Sequence, residues 1–160
     1  MKKRNSKVFP RKFCQVRWVE NTVVAERALQ GRKYVQNFLK LPSTITVEAV
    51  KSLCADKFAA AKIAFFASVG SEFEIFLEKC SSPMVAYLFN DIGNLLRSLM
   101  KRFVKKSMLQ ETNSVTKLVK VDVNKKDLLC TYKEVDVGVA AAKELVQVKA
   151  VDSERMAFRM

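Results

Sequence analysis

The sequence predicts an all-α fold, and three of its features indicate this class. Only four Gly and three Pro occur in 160 residues, too few for the many tight turns of a β-rich fold. Apolar residues make up 49% of the chain, which is enough to build a core. They also recur every three or four positions over long stretches, as in helices that bury one face. We therefore expect a bundle-like helical domain over residues 16–160, behind a basic, irregular arm over residues 1–15.

The first helix is expected from about Asn21 to Leu39. Asn21 or Thr22 can cap it, because a short polar side chain accepts hydrogen bonds from the free amides of the first turn. Gly31 weakens the middle of this helix. Pro42 then favours a break in the chain.

A second helical region is expected from a cap at Thr46 to about Cys80, with a bend near Gly70. Aromatic residues recur at helical spacing along it, and we expect them to pack in the core rather than to bind a cofactor. The phenylalanines of this face are Phe58, Phe65, Phe73 and Phe76.

The third helix is expected from about Pro83 to Glu111, and its second half concentrates positive charge. Arg97, Lys101 and Lys105 recur at i, i+4 and i+8, so a continuous helix would place them in one stripe. Arg102 and Lys106 lie alongside, and no acidic residue interrupts the five cations. Such a face is either simply solvated or makes contacts with phosphate groups, and both interpretations remain open.

The rest of the chain is less regular. The pattern of residues 113–136 predicts loops or short extended pieces. A helical pattern returns over residues 137–148. A last helix is expected to start with Asp152 or Ser153 as its cap. This helical pattern still continues at Met160, so we expect the sequence to be a fragment of a longer protein.

The net charge indicates a polyanionic partner. The chain has 29 basic and 16 acidic residues, a net charge of +13, and residues 1–40 hold eleven of the bases but two of the acids. This favours DNA over an anionic membrane, although a solvated arm without a partner is the alternative. The basic start, with Lys2, Lys3, Arg4, Lys7 and Arg11, predicts nuclear import. No apolar run is long enough to span a bilayer, so we expect no membrane partner.

The sequence offers no catalytic constellation. It contains no His, and its four Cys form no C-x-x-C pair, so neither a nucleophile–histidine pair nor a common zinc site is expected. No glycine-rich phosphate loop is present. We therefore predict no metal, no cofactor and no enzymatic activity.

Trp18, the single tryptophan, lies beside Arg17 in the basic region. It is either a core residue or a platform on which an unpaired base stacks. The Arg17-Trp18 pair, with Asn21 after it, resembles the "TRW" segment of hAT-family transposases. The runs over residues 49–69 and 95–106 resemble the helical insertion of that family's RNase H-like fold.

This resemblance implies a helical insertion segment that lacks the family's catalytic acids, which lie in the RNase H-like core. It also implies that Trp18 stacks on a DNA hairpin end and that Arg17 contacts the adjacent phosphate. Glu20 departs from that pattern by placing a negative charge nearby. We expect a transposase-derived, catalytically incomplete domain that binds DNA weakly, without sequence preference and in a salt-dependent way. The alternatives are a module for protein interaction or homo-oligomerisation, and a non-functional transposon relic.

Overall fold

The computed structural model describes residues 11–12, 18–41, 48–80 and 87–159, and every regular element within these ranges is helical. This confirms the predicted all-α class. Short 3₁₀ turns occur at Trp18–Asn21 and Lys126–Leu128. The helices are α1 (Thr22–Leu39), α2 (Glu48–Ala55), α3 (Ala59–Cys80), α4 (Leu88–Met100), α5 (Lys106–Glu111), α6 (Val115–Val119), α7 (Val139–Gln147) and α8 (Asp152–Arg159).

The described residues group into two compact units. The first unit lies within residues 1–70 and 138–149, and the second within residues 71–137 and 150–160. Helix α3 therefore contributes its first half to one unit and its second half to the other.

The start of α1 packs closely on α3 in the first unit. The Thr22 hydroxyl donates to the Val19 carbonyl oxygen at 2.7 Å, which ties the helix to the preceding 3₁₀ turn. A Cβ atom at Gly70 would lie 2.4 Å from the Thr22 hydroxyl oxygen, so this approach requires glycine. Helix α1 spans nearly the predicted residues. Asn21 occupies the N-cap position, but its side chain makes no capping hydrogen bond.

Alanines are six of the seven buried apolar residues that the structure describes in the first unit. The prediction that phenylalanines fill the core of this region is wrong for Phe65, whose side chain is exposed. Alanine instead lets helix backbones approach closely, because its side chain ends at Cβ. The buried apolar residues of the first unit are Ala25, Ala59, Ala60, Ala61, Ala64, Ala141 and Leu145.

The predicted second helix is interrupted around Asp56, and α3 continues through Gly70 without a break. The Asp56 carboxylate accepts a hydrogen bond from the Phe58 amide at 2.8 Å. Its backbone carbonyl accepts another from Ala59 at 3.1 Å. Aspartate thus competes with the helical hydrogen bonds and starts α3 instead. Thr46, the predicted cap, lies outside the described residues.

The predicted third helix is also wrong in its extent, because α4 ends at Met100. The chain then turns, and Val104 forms an isolated antiparallel bridge with Leu129. Lys105 donates its amide to the Leu128 carbonyl at 2.9 Å, and Cys130 donates to Phe103 at 2.8 Å. These bonds hold the chain in an extended conformation where the periodicity predicted helix. Pro83 lies outside the described residues.

The core of the second unit surrounds this bridge. Met100, Val104, Leu109 and Leu118 are buried together. A Cβ atom at Gly93 would lie 2.4 Å from a Val115 methyl group, so α4 and α6 pack in close contact. The partly buried residues that complete this core are Leu96, Phe103, Met108, Val121 and Leu129.

Residues 113–136 contain α6 and the second 3₁₀ turn within otherwise irregular chain. The prediction of loops there was therefore right for most of the stretch but missed α6. Ser114 starts α6 by accepting a hydrogen bond from the Lys117 amide at 3.3 Å. The helices predicted near residues 137–148 and after residue 152 are confirmed as α7 and α8.

Candidate nucleic-acid interface

The five predicted phosphate-binding cations of residues 97–106 do not form one helical stripe. Arg97 belongs to α4, whereas Lys101 and Arg102 lie in the turn after it. Lys105 is extended, and Lys106 begins α5. The end of α4 at Met100 therefore separates these side chains into two kinds of environment.

Arg97 binds the C-terminal end of α5. One of its guanidinium nitrogens donates to the Leu109 carbonyl oxygen at 2.8 Å, and the other donates to the carbonyl oxygen of Thr112. Carbonyls in the last turn of a helix have no partner in the helix, and they carry the negative end of its dipole. Arg97 thus satisfies two acceptors within the protein.

Arg102 forms a partly buried ion pair with Glu72 from α3. Its Nε donates to Glu72 Oε1 at 2.8 Å, and a second guanidinium nitrogen donates to the same oxygen. The two side chains are 12% and 19% exposed. The Arg102 carbonyl also accepts the Asp136 amide at 2.8 Å. Arg102 therefore joins α3, the turn after α4 and the segment before α7.

Lys101, Lys105 and Lys106 have exposed side chains, and we call these three the lysine group. Lys105 Nζ donates to the Asp127 carbonyl oxygen at 2.6 Å. An ammonium group has three protons to donate, so this bond leaves two for other acceptors. In the described part of the chain, no carboxylate forms an ion pair with the lysine group. Of the five predicted cations, these three lysines are the ones best placed to meet phosphate.

One acidic side chain nevertheless lies near this group. Hydrogen bonds from Thr131 to the carboxylate hold the pKa of Glu134 below its usual value, and the charges of Lys105 and Lys106 lower it further. The hydroxyl and the amide of Thr131 donate to Glu134 Oε2 at 2.8 and 2.9 Å. The sequence showed no acid among the cations, so the folded chain places a negative charge there that local spacing did not predict.

Cys130 lies in the same region but is not activated. Burial raises the pKa of its thiol, and the charge of Glu134 acts in the same direction. Lys105 and Lys106 oppose that shift without reversing it. Because the thiolate is the reactive form of cysteine, this shift makes Cys130 less nucleophilic than an ordinary cysteine.

The other predicted DNA contacts fall at the edge of what the structure describes. Trp18 begins the 3₁₀ turn before α1, but its side chain and all of Arg17 lie outside the described residues. The basic residues proposed for nuclear import lie outside them too, except Arg11, which is exposed. The roles of Arg17 and Trp18 therefore stay predictions.

The described residues lack the groupings that two other kinds of site require. Within the described ranges, no three residues among Cys, Asp and Glu cluster closely enough to hold a metal ion. No helix in the same ranges has both the length and the apolar character required to cross a membrane.

Sequence reasoning missed the partners of both arginines. Glu72 precedes Arg102 by 30 residues, and the acceptors Leu109 and Thr112 follow Arg97 by 12 and 15. Helical periodicity reports on neighbours three or four residues apart, so it carried no signal for these contacts.

No protein-family model, characterised protein or solved structure matches the chain. The interpretation of the site therefore rests on its geometry and its charge.

Proposed function

We propose that this chain is a helical, non-catalytic domain of hAT-transposase type that binds DNA weakly through the lysine group and Trp18. The observation that carries the proposal is the exposure of Lys101, Lys105 and Lys106 without an ion-pairing carboxylate in the described chain. The net charge of +13 supplies a long-range attraction to the phosphate backbone. The transposase origin rests on the resemblance of residues 17–21, 49–69 and 95–106.

Arginine and lysine have different roles in this proposal. Arg97 and Arg102 are occupied by acceptors inside the second unit, so phosphate contact by them would require those bonds to open. The lysine group can contact phosphate without such a change. Lysines bind phosphate as mobile point charges, which suits contact without sequence preference.

Salt dependence tests the role of the lysine group. Each phosphate contact releases counterions, so three contacts contribute about −2.7 to the slope of log affinity against log salt concentration. We expect Lys101→Gln/Lys105→Gln/Lys106→Gln to reduce the slope by about this amount. Fluorescence anisotropy of a labelled duplex, titrated at several salt concentrations, measures the slope.

The matched control removes the same charge elsewhere. Lys33, Lys143 and Lys149 are exposed lysines of the first unit, and their triple Gln variant has the same net charge. It should change the slope by less than the first triple variant does. Equal slopes for the two triple variants would mean that only the total charge of the protein matters. A wild-type affinity for DNA that does not change with salt concentration would reject DNA binding by charge.

Trp18 is tested by its own fluorescence, because it is the single tryptophan. Stacking on an unpaired base quenches indole emission, so we expect a DNA hairpin with one unpaired base to quench it more than a plain duplex does. Arg17→Gln should weaken this effect. A blue-shifted emission that neither DNA changes would show that Trp18 is a core residue.

A second candidate function is protein interaction, and exposed apolar residues on α4 favour it. Phe89 and Ile92 lie one turn apart and are both exposed, and Ile75 and Leu77 of α3 are exposed as well. Exposed apolar surface of this kind often marks an interface. Sedimentation velocity of the wild type and of Phe89→Ser/Ile92→Ser distinguishes the two functions. A dimer that the variant loses, together with no affinity for DNA, would favour interaction.

A further inference from the structure

A cavity of about 330 Å³ lies in the first unit, among residues of α1, α2 and the start of α3. Its walls are largely apolar, with Val24 and Val35 from α1, Leu53 from α2 and Ile63 from α3. Ligand sites in proteins start at about this volume, and most have apolar walls with a few polar groups that orient the ligand. The cavity is therefore large enough for a small ligand with an apolar body.

Three of the polar side chains at this cavity are cationic, beside the Tyr34 hydroxyl and the Cys54 thiol. Arg11, Arg27 and Arg32 all contribute to its lining. None of the three forms an ion pair within the described ranges. Arg27 makes one long hydrogen bond, 3.4 Å, to the Gln30 side chain. These guanidinium groups therefore retain donors that a ligand could use, unlike those of Arg97 and Arg102.

Asp56, an acid whose charge interacts with Arg32, already has a partner. The Lys62 ammonium donates to Asp56 Oδ2 at 2.8 Å and lowers the pKa of that carboxyl, while the charge of Arg32 makes a smaller contribution from further away. Asp56 also accepts the Phe58 amide at the start of α3. Its negative charge is thus largely compensated, and the arginines give the cavity a positive potential.

We propose that this cavity binds a small amphipathic anion, namely a medium-chain acyl carboxylate. The alkyl chain lies against the apolar wall, and the carboxylate accepts hydrogen bonds from Arg27 and Arg32. A guanidinium group matches a carboxylate because its N–H groups can donate to both oxygens at once. This site is separate from the lysine group proposed for DNA, which belongs to the second unit.

Cys54 provides a direct test because it lines the cavity and is a partly exposed free thiol. Iodoacetamide alkylation of the intact chain, followed by peptide mapping, measures the rate at each cysteine separately. We expect decanoate, kept below its micelle-forming concentration, to slow Cys54 alkylation at least threefold. Cys130, a free thiol of the second unit, should react at an unchanged rate and serves as the internal control.

Decanol isolates the contribution of charge, since it has the same chain length but no carboxylate. It should protect Cys54 much less than decanoate does. Equal protection by decanol and decanoate would overturn the proposal, because the arginines would then have no role. Equal slowing of Cys54 and Cys130 would overturn it too, because it would indicate a general effect on the protein.

Two variants of equal charge complete the test. Arg27→Gln/Arg32→Gln should abolish protection by decanoate, whereas Lys33→Gln/Lys143→Gln should retain it. For each variant the rate with decanoate is divided by its own rate without decanoate, because losing an arginine can itself change the reactivity of Cys54. Protection that persists in the arginine variant would reject the carboxylate site.

Discussion

Arg97 and Arg102, at the end of α4, bind acceptors within the protein, whereas Arg27 and Arg32 of α1 line an apolar cavity. Arg97 binds two carbonyl oxygens and Arg102 binds a carboxylate. Neither cavity arginine forms an ion pair in the chain as described. The same residue type therefore stabilises the fold in one region and remains available to a ligand in the other.

The glycines of the two regions show the same contrast. A Cβ atom at Gly93 would lie 2.4 Å from a methyl group of Val115, whereas a Cβ atom at Gly31 would meet no atom of the described residues within 4 Å. Helix α4 is thus closely packed against α6, whereas the middle of α1 borders open space among the described residues. Substitutions at Gly93 in α4 should accordingly destabilise the protein, and substitutions at Gly31 in α1 should be tolerated.

The largest effect is expected at the ion pair between Arg102 and Glu72. Arg102→Met leaves the partly buried Glu72 carboxylate without its cation, which should cost about 2–4 kcal/mol of unfolding free energy. Among the described residues, the buried oxygen Glu72 Oε2 has no hydrogen-bond partner, so none of them supplies a second donor to Glu72. Urea denaturation followed by circular dichroism measures the loss.

The neighbouring Lys101 supplies the control, because it is exposed. Lys101→Met should change stability by less than about 0.5 kcal/mol. Adding Glu72→Met to Arg102→Met should recover much of the lost stability, since no buried charge then remains unpaired. If the two single variants at 101 and 102 proved equally stable, the structural role of Arg102 would be refuted.

A smaller loss is expected where α4 packs on α6. Gly93→Ala places a methyl group against Val115, and overpacking of this kind costs about 1–3 kcal/mol. Alanine favours helix by up to about 1 kcal/mol, which offsets part of that cost. Thermal or urea unfolding of the variant measures the net change.

The background variant Val115→Ala removes the methyl groups that cause the clash. In that background Gly93→Ala should become neutral or stabilising. A penalty that stays the same with and without Val115 would show that the contact does not limit residue 93.

The predictable parts of the fold are those set by local pattern. The bounds of α1, α7 and α8 follow from apolar periodicity and from short polar residues near the helix starts, and they agree with the structure within a few residues. The end of α4 does not follow from local pattern, because residues 97–106 keep helical spacing. The extended chain there is held by backbone bonds to residues 128 and 130, which are more than 20 residues away.

The candidate site was predictable in composition but not in geometry. The sequence located the cations at 97, 101, 102, 105 and 106, yet their division into structural arginines and exposed lysines depends on distant acceptors. The cavity of the first unit had no sequence signal at all. It combines residues of three helices, and the spacing along any one helix does not show which side chains will leave space between them.

Apart from the Lys101→Met control, the smallest change in stability is expected at Gly31, and its sign is opposite to that at Gly93. Gly31→Ala should stabilise the chain by about 0.5–1 kcal/mol, because alanine reduces the entropy that the unfolded chain loses in forming α1. Within the ranges that the structure describes, no neighbouring atom opposes the new methyl group. Urea denaturation beside Gly93→Ala gives the comparison directly. A destabilised Gly31→Ala variant would mean that the cavity beside Gly31 is closed in solution. The contrast between α4 and α1 would then fail at the cavity, which is where the proposed carboxylate site requires open space.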